Sequence, residues 1–120
     1  GVLAQRLVRV ICLDCKEPYK PEPWVLKELG MEGADTESMT FFHGKGCSEC
    51  NYTGYRGRTG ITEFLVLTEP IKQLVLDRAA SSEIFHQARE EGMRTLREDG
   101  WQKVIQGITT PEEVLHSTVH

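Results

Sequence analysis

The chain has 120 residues, of which 39% are hydrophobic and 27% charged, and its formal net charge is -4. This length suits one domain or two small lobes, each with a thin core that needs reinforcement. The ordinary composition excludes a disordered chain, the apolar runs are too short to span a membrane, and the acidic balance argues against nucleic-acid binding.

The first third of the chain predicts a helix end, a strand and a short helix. Residues 1–7 place leucines one turn apart, which indicates the end of a helix, and residues 8–13 are rich in strand-forming side chains. Pro23 predicts the start of a helix over residues 24–29, which Gly30 closes. The apolar side chains expected to cover a small core there are Trp24, Leu26 and Leu29.

All four cysteines lie in two Cys-x-x-Cys motifs, the first formed by Cys12 and Cys15 and the second by Cys47 and Cys50. Each two-residue spacer lets both thiolates turn toward one point, so the motifs, with 31 residues between them, can close on a single tetrahedral ion. Zinc is the leading interpretation. Four thiolates leave no coordination position for water or substrate, which indicates a structural site.

Other uses of these cysteines stay open. Two disulfides or four packed thiols would use the same residues, although a reducing, cytosolic compartment suits the chain better. Iron in a rubredoxin-like redox site takes the same four ligands, and His43 could replace one of them. The glycines that flank the second motif predict turns whose amides donate hydrogen bonds to the thiolates.

Strands are predicted on both sides of the second motif. Residues 30–37 predict a loop and residues 38–43 a strand. A turn-rich run over residues 51–60 follows the motif. Residues 61–67 then carry apolar side chains on both faces of a predicted strand, which indicates that other elements cover it on both sides.

Helices are predicted over the rest of the chain. Thr68 is expected to cap the first, and Ser81 or Ser82 the second. Thr95 and Thr110 each stand three residues before a glutamate, as in a capping box, and predict the starts of two more. The core expected for these helices is Trp101, Val104, Ile105, Val114 and Leu115.

These elements predict an α+β fold with two subdomains: a small four-cysteine, zinc-binding lobe with short strands over residues 1–67 and a small helical lobe over residues 68–120. Removal of the metal is expected to unfold residues 12–67 and to leave part of the helical lobe folded. No catalytic site is expected, since the histidines have no partner at nucleophile spacing. Glu112 and Glu113 suit the first turn of a helix rather than acid–base chemistry.

Basic residues cluster beside both cysteine motifs. Arg6 and Arg9 precede the first motif, and Arg56 and Arg58 follow the second. A zinc ion with four thiolates carries about -2. The expected role of these arginines is therefore to offset that charge.

Taken together, the motifs resemble the C-terminal part of the secretion and pilus-assembly ATPases, the hexameric motors of type II secretion and type IV pilus systems. The matching runs follow the family's order: residues 3–9, the two cysteine motifs, and residues 53–58, 60–63, 92–96, 99–100 and 107–114. One departure is Leu13, where the family often has proline. The cysteines favour the assembly or secretion branch over retraction motors, and they do not separate secretion from pilus assembly.

The resemblance implies a parent motor, peripheral at the cytoplasmic side of the bacterial inner membrane, that powers secretion or pilus assembly by ATP hydrolysis. Its RecA-like core would precede residue 1. ATP and Mg²⁺ would belong to that core, because no Gly-x-x-x-x-Gly-Lys-Ser/Thr loop occurs in these 120 residues. This chain is therefore expected to be non-catalytic.

The resemblance also implies protein partners, namely the inner-membrane platform protein and neighbouring subunits of the motor hexamer. The turn after the second motif predicts the exposed contact residues Tyr52, Tyr55, Arg56 and Arg58, for which a structural role is equally compatible. The alternative function is a zinc ribbon that binds client proteins or nucleic acid. The second motif with Thr53 and Gly54 faintly resembles the cysteine-rich module of J-domain co-chaperones.

Overall fold

The computed structural model describes residues 2–30 and 39–118. The strands and helices of this part of the chain are β1 (Val2–Ile11), β2 (Lys16–Tyr19), α1 (Pro23–Glu28), β3 (Phe41–Gly44), β4 (Tyr55–Leu65), α2 (Glu69–Leu76), α3 (Ser81–Glu90), α4 (Leu96–Ile105) and α5 (Pro111–Thr118). The protein is therefore α+β, as predicted. From residue 31 onward, the loop predicted over residues 30–37 lies outside the described residues. Among the described helices, none is both long and apolar enough to cross a bilayer.

The strands form two antiparallel pairs. β1 pairs with β4 along nearly its whole length, and β2 pairs with β3. The helix end predicted over residues 1–7 is therefore wrong for residues 2–7, which the structure describes as strand. Leu3 and Leu7 stand four residues apart, which suits one face of a strand as well as one face of a helix, and pairing with β4 selects the strand.

The short helix α1 starts and ends where the sequence predicts. Pro23 begins it, since its fixed φ suits the first turn, and Gly30 follows its end with φ +80°. Val25 and Leu29 are buried in the core. Trp24 is 60% exposed, so its predicted place over the core is wrong: the helix turns the next residue inward instead.

Local capping sets the starts of two later helices. The Thr68 hydroxyl accepts a hydrogen bond from an amide in the first turn of α2, and Thr95 forms a complete capping box with Glu98, which confirms both predictions. The predicted serine cap of α3 is wrong. The turn that ends α2 places Ala80 at the cap position, so Ser81 already lies inside the helix.

One hydrophobic core joins the two halves of the chain. Its buried members are Val25, Leu29, Phe41, Trp101, Val104 and Val114. The rings of Phe41 and Trp101 lie 5.9 Å apart, so α4 and α5 pack on α1 and β3. Ile105, predicted in this core, is 49% exposed because α4 turns it away. The predicted division into subdomains at residue 67 states which parts of the chain fold independently. It stays a prediction.

The β1–β4 ribbon packs mainly through one face. Val8, Ile61 and Leu96 form a second buried cluster, which places α4 against that face. Phe64 stands on the opposite face and is 52% exposed, and Val66, just beyond the strand, is 55% exposed. The cover predicted for both faces is therefore wrong in the part of the chain that the structure describes. β4 also begins at residue 55, because it pairs with the full length of β1.

Candidate metal centre

Two connections, β1 to β2 and β3 to β4, bring the four cysteines together. Cys12 follows β1 and Cys15 precedes β2, while Cys47 caps a short 3-10 helix (Ser48–Cys50) that ends at Cys50. The sulfur atoms of Cys12 and Cys47, of Cys15 and Cys50, and of Cys47 and Cys50 are each 3.8 Å apart, and all four sulfurs lie within 4.8 Å of one another.

These distances fit a metal ion. Four sulfurs at about 2.3 Å from a central zinc ion form a tetrahedron with edges of about 3.8 Å. The three sulfur separations above already have this length. The structure joins none of the four cysteines in a disulfide. The cluster can therefore receive a metal with little rearrangement of its backbone.

Backbone amides point at the sulfurs, as the glycine-rich turns predict. Gly46 N–H donates to Cys15 Sγ at 3.3 Å, and Cys47 N–H donates to Cys50 Sγ at 3.3 Å. Gly54 N–H also donates to Cys50 Sγ, at 3.2 Å. Such donors stabilise thiolates, and they are the usual second layer around a tetracysteine site.

These surroundings shift the pKa values of Cys50 and Cys15 in opposite directions. Removal from water raises the pKa of the Cys50 thiol, but the amides of Cys47 and Gly54 outweigh it and lower the pKa to about 6. Removal from water raises the pKa of Cys15 to about 12 despite the Gly46 amide. Without metal the cluster therefore holds protons, and metal binding must release them.

The arginines near the motifs have different partners. Arg56 lies 3.6 Å from Asp14 and 3.6 Å from Glu49, two exposed acids inside the cysteine motifs. Pairs this exposed contribute little to stability. The predicted role of Arg9 beside the metal is wrong, because its guanidinium binds Glu113 instead. Arg6 donates to the neighbouring Gln5 carbonyl at 3.2 Å.

His43 lies outside the sulfur cluster. Its Nε2 is 3.0 Å from Glu17 Oε1, and its ring stacks on Tyr19 with 4.2 Å between centroids. The Tyr19 hydroxyl in turn donates to Glu112 Oε2 at 2.7 Å. Burial and the Glu112 carboxylate raise the pKa of Tyr19. His43 therefore belongs to a packing cluster that joins β2 and β3 to α5.

The predicted contact residues divide into two groups. Tyr52 is 76% exposed, and Arg56 and Arg58 also face solvent. Tyr55 is half-buried: its hydroxyl lies 2.7 Å from Thr110 Oγ1, and the Arg9 guanidinium stacks 4.2 Å from its ring centre. The structure thus gives Tyr55 a packing role between β4 and the start of α5.

The pair of Arg9 and Glu113 has no signal in the local sequence. Thr110 Oγ1 accepts from Glu113 N–H at 3.1 Å, which is half of the predicted capping box. The Glu113 carboxylate does not return to the cap, and it binds the backbone amide and guanidinium of Arg9. The two residues are 104 positions apart, so no spacing rule connects them.

An α+β chain whose two Cys-x-x-Cys motifs converge on one point defines a tetracysteine module with the donor set of a structural metal site. Known proteins give its family. The family model described as Type II/IV secretion system protein matches residues 1–116. The chain therefore belongs to the type II/IV secretion system protein family.

Named relatives agree with this membership. The chain is 46% identical over 119 residues to the type IV pilus assembly ATPase PilB of Thermus thermophilus, covering 99% of this chain and 13% of the relative. It is 44% identical to the type II secretion system protein E of Pseudomonas aeruginosa and 43% identical to the type II secretion system ATPase E of Vibrio cholerae. Each of these two matches covers 98% of this chain and 23% of the relative. The chain thus spans less than a quarter of the length of these relatives.

Proposed function

We propose that the chain is the non-catalytic C-terminal part of a hexameric ATPase that powers protein secretion or pilus assembly. The observation that carries the proposal is the four-sulfur cluster in a chain of this family. Because the sequence lacks a phosphate-binding loop, ATP and Mg²⁺ would bind elsewhere in the parent. The zinc ribbon for client proteins or nucleic acid has less support, since the named relatives are secretion and pilus proteins.

Zinc is the proposed metal, held by Cys12, Cys15, Cys47 and Cys50. Its role would be to supply folding free energy, which reaches about 10–16 kcal/mol in small zinc-finger peptides. Elemental analysis of the purified, untagged chain tests this. One zinc per chain supports the proposal, iron would favour a redox site, and absence of metal would contradict it.

Chelation tests the proposed subdomains at residues 1–67 and 68–120. α4 and α5 share a core with α1 and β3. On chelation, we therefore expect the amides of α4 and α5 to lose their protection from hydrogen exchange together with those of the cysteine motifs. α2 and α3 make most of their contacts with each other, so we expect them to keep residual helix. Hydrogen exchange with and without chelator resolves the two groups, and loss of all helix would show one cooperative unit.

The proposed partners are the inner-membrane platform protein and neighbouring motor subunits, with the parent peripheral at the cytoplasmic side of that membrane. Tyr52 and Arg56 are exposed beside the metal centre, and Arg58 is exposed on β4. These three side chains offer a contact surface. Capture by the cytoplasmic part of the platform protein should weaken when Tyr52 and Arg56 are changed to alanine. Lys72→Ala, on exposed α2, is the matched control. Equal capture of all variants would refute this contact surface.

A further inference from the structure

Gly54 contacts both cysteine motifs through its backbone. Its N–H donates to Cys50 Sγ of the second motif at 3.2 Å, and its carbonyl accepts from Cys12 N–H of the first motif at 3.0 Å. Gly54 lies after the second motif and just before β4. It has no side chain that could bind a metal, so it acts only through its backbone. One residue thus holds a sulfur of one motif and the backbone of the other.

The space around Gly54 excludes any side chain. A Cβ atom on Gly54 would lie 2.5 Å from the Gly44 carbonyl oxygen, and a Cβ on Gly44 would lie 2.1 Å from the Gly54 oxygen. The opposing atoms are backbone, so they cannot rotate away as a flexible side chain would. Gly44 ends β3, and the next residue, Lys45, donates its N–H to the Cys15 carbonyl at 3.0 Å.

We infer that the crossing of Gly44 and Gly54 is a positioning element of the metal centre: it sets the separation of the two cysteine motifs and thereby the metal affinity. This inference rests on the proposed metal centre. A Cβ at the crossing would have to move from 2.5 Å to at least 3.0 Å from the opposing oxygen. Metal–sulfur distances tolerate only about 0.2 Å, so such a displacement must distort the sulfur cluster.

The matched pair of variants is Gly54→Ala and Gly57→Ala. Both glycines have a positive φ, +82° at Gly54 and +85° at Gly57, so alanine is strained at both positions. A Cβ on Gly57 meets nothing within 4 Å, whereas one on Gly54 meets backbone. The difference between the two variants therefore isolates the crossing from the strain.

Zinc affinity is measured on the full chain by competition with a chromophoric chelator, and ligand geometry by the absorption bands of the Co²⁺ form. We expect Gly54→Ala to bind zinc about 10–100-fold more weakly than Gly57→Ala, the range seen when groups behind metal ligands are changed. Its Co²⁺ spectrum should shift, while that of Gly57→Ala matches the unmodified chain.

Equal zinc affinities and Co²⁺ spectra for the two variants would overturn the inference while leaving the metal centre intact. An unmodified chain that binds neither ion would overturn the metal centre and the inference together. If Gly54→Ala does not fold, an ester in place of the Thr53–Gly54 amide, introduced by ligation at Cys50, removes the N–H without adding an atom. The Gly54 N–H is the group through which the crossing reaches a sulfur, that of Cys50. The ester variant should therefore also bind zinc about 10-fold more weakly. Unchanged affinity would overturn the inference.

Discussion

Arg9→Ala tests the contact that joins β1 to α5. In the intact protein, the Glu113 carboxylate accepts from Arg9 N–H at 3.0 Å, from Nε at 3.1 Å and from Nη2 at 3.0 Å. The Glu113 side chain is only 8% exposed, while that of Arg9 is 52% exposed. The variant keeps the backbone donor and leaves a buried carboxylate without its cation.

The expected loss follows from these contacts. Two charge-assisted hydrogen bonds disappear, each worth about 1.5–3 kcal/mol, and the exposure of Arg9 reduces that value through solvent screening. The stacking of Arg9 on Tyr55 adds about 0.5 kcal/mol. We therefore expect the free energy of unfolding to fall by about 2–3 kcal/mol. For a chain of this size that lowers Tm by about 10 °C.

Thermal unfolding followed by circular dichroism, at saturating zinc, measures this loss. Arg6→Ala is the matched control on the same strand, since Arg6 contacts only a neighbouring carbonyl among the hydrogen bonds of the described residues. A double-mutant cycle with Glu113→Ala isolates the pair. The reasoning is refuted if Arg9→Ala costs no more than Arg6→Ala, or if the cycle gives no coupling energy.

Two further predictions concern α4. Gly100→Ala would normally stabilise a helix by about 1 kcal/mol, but its Cβ would lie 2.6 Å from Val114 Cγ1. Overpacking should therefore make the change destabilising by about 1 kcal/mol in urea unfolding, and stabilisation would contradict the packing. Partial burial raises the pKa of Glu98, but hydrogen bonds from Thr95 and Arg89 outweigh it and leave the pKa below its ordinary value. Its stabilisation is present above the unfolded pKa of about 4.3 and is lost as pH falls through the lower folded pKa. Glu98→Gln should thus cost more in urea unfolding at pH 6 than at pH 3, and an equal cost would contradict this.

The sequence predicts best what neighbouring residues decide. The cysteine motifs predict the sulfur cluster because each two-residue spacer fixes a local turn. Thr68 and Thr95 predict helix starts because their hydroxyls bond amides within the same turn. The glycine-rich run predicts amide donors to sulfur for the same reason.

Contacts between distant segments account for the wrong predictions. Residues 2–7 are a strand because β4, about 60 positions away, pairs with them, and a four-residue spacing alone fits either structure. Trp24 is exposed because the shared core with α4 and α5 selects Val25 instead. Arg9 looks like a counter-charge for the metal until α5 brings Glu113 beside it.

The outer edge of β1 has a consequence for how the chain avoids pairing with other chains. An unpaired strand edge is a template for edge-to-edge aggregation. Here the groups along the second half of that edge are already bonded: Leu7 C=O, both backbone groups of Arg9, and Ile11 N–H. Their partners come from α5 and the loop before it, in the form of Ser117, Glu113, Thr109 and Ile108. α5 and the loop before it therefore occupy the backbone groups of β1 that the β1–β4 pair leaves free over residues 7–11. A strand of another chain cannot pair with β1 there without displacing them.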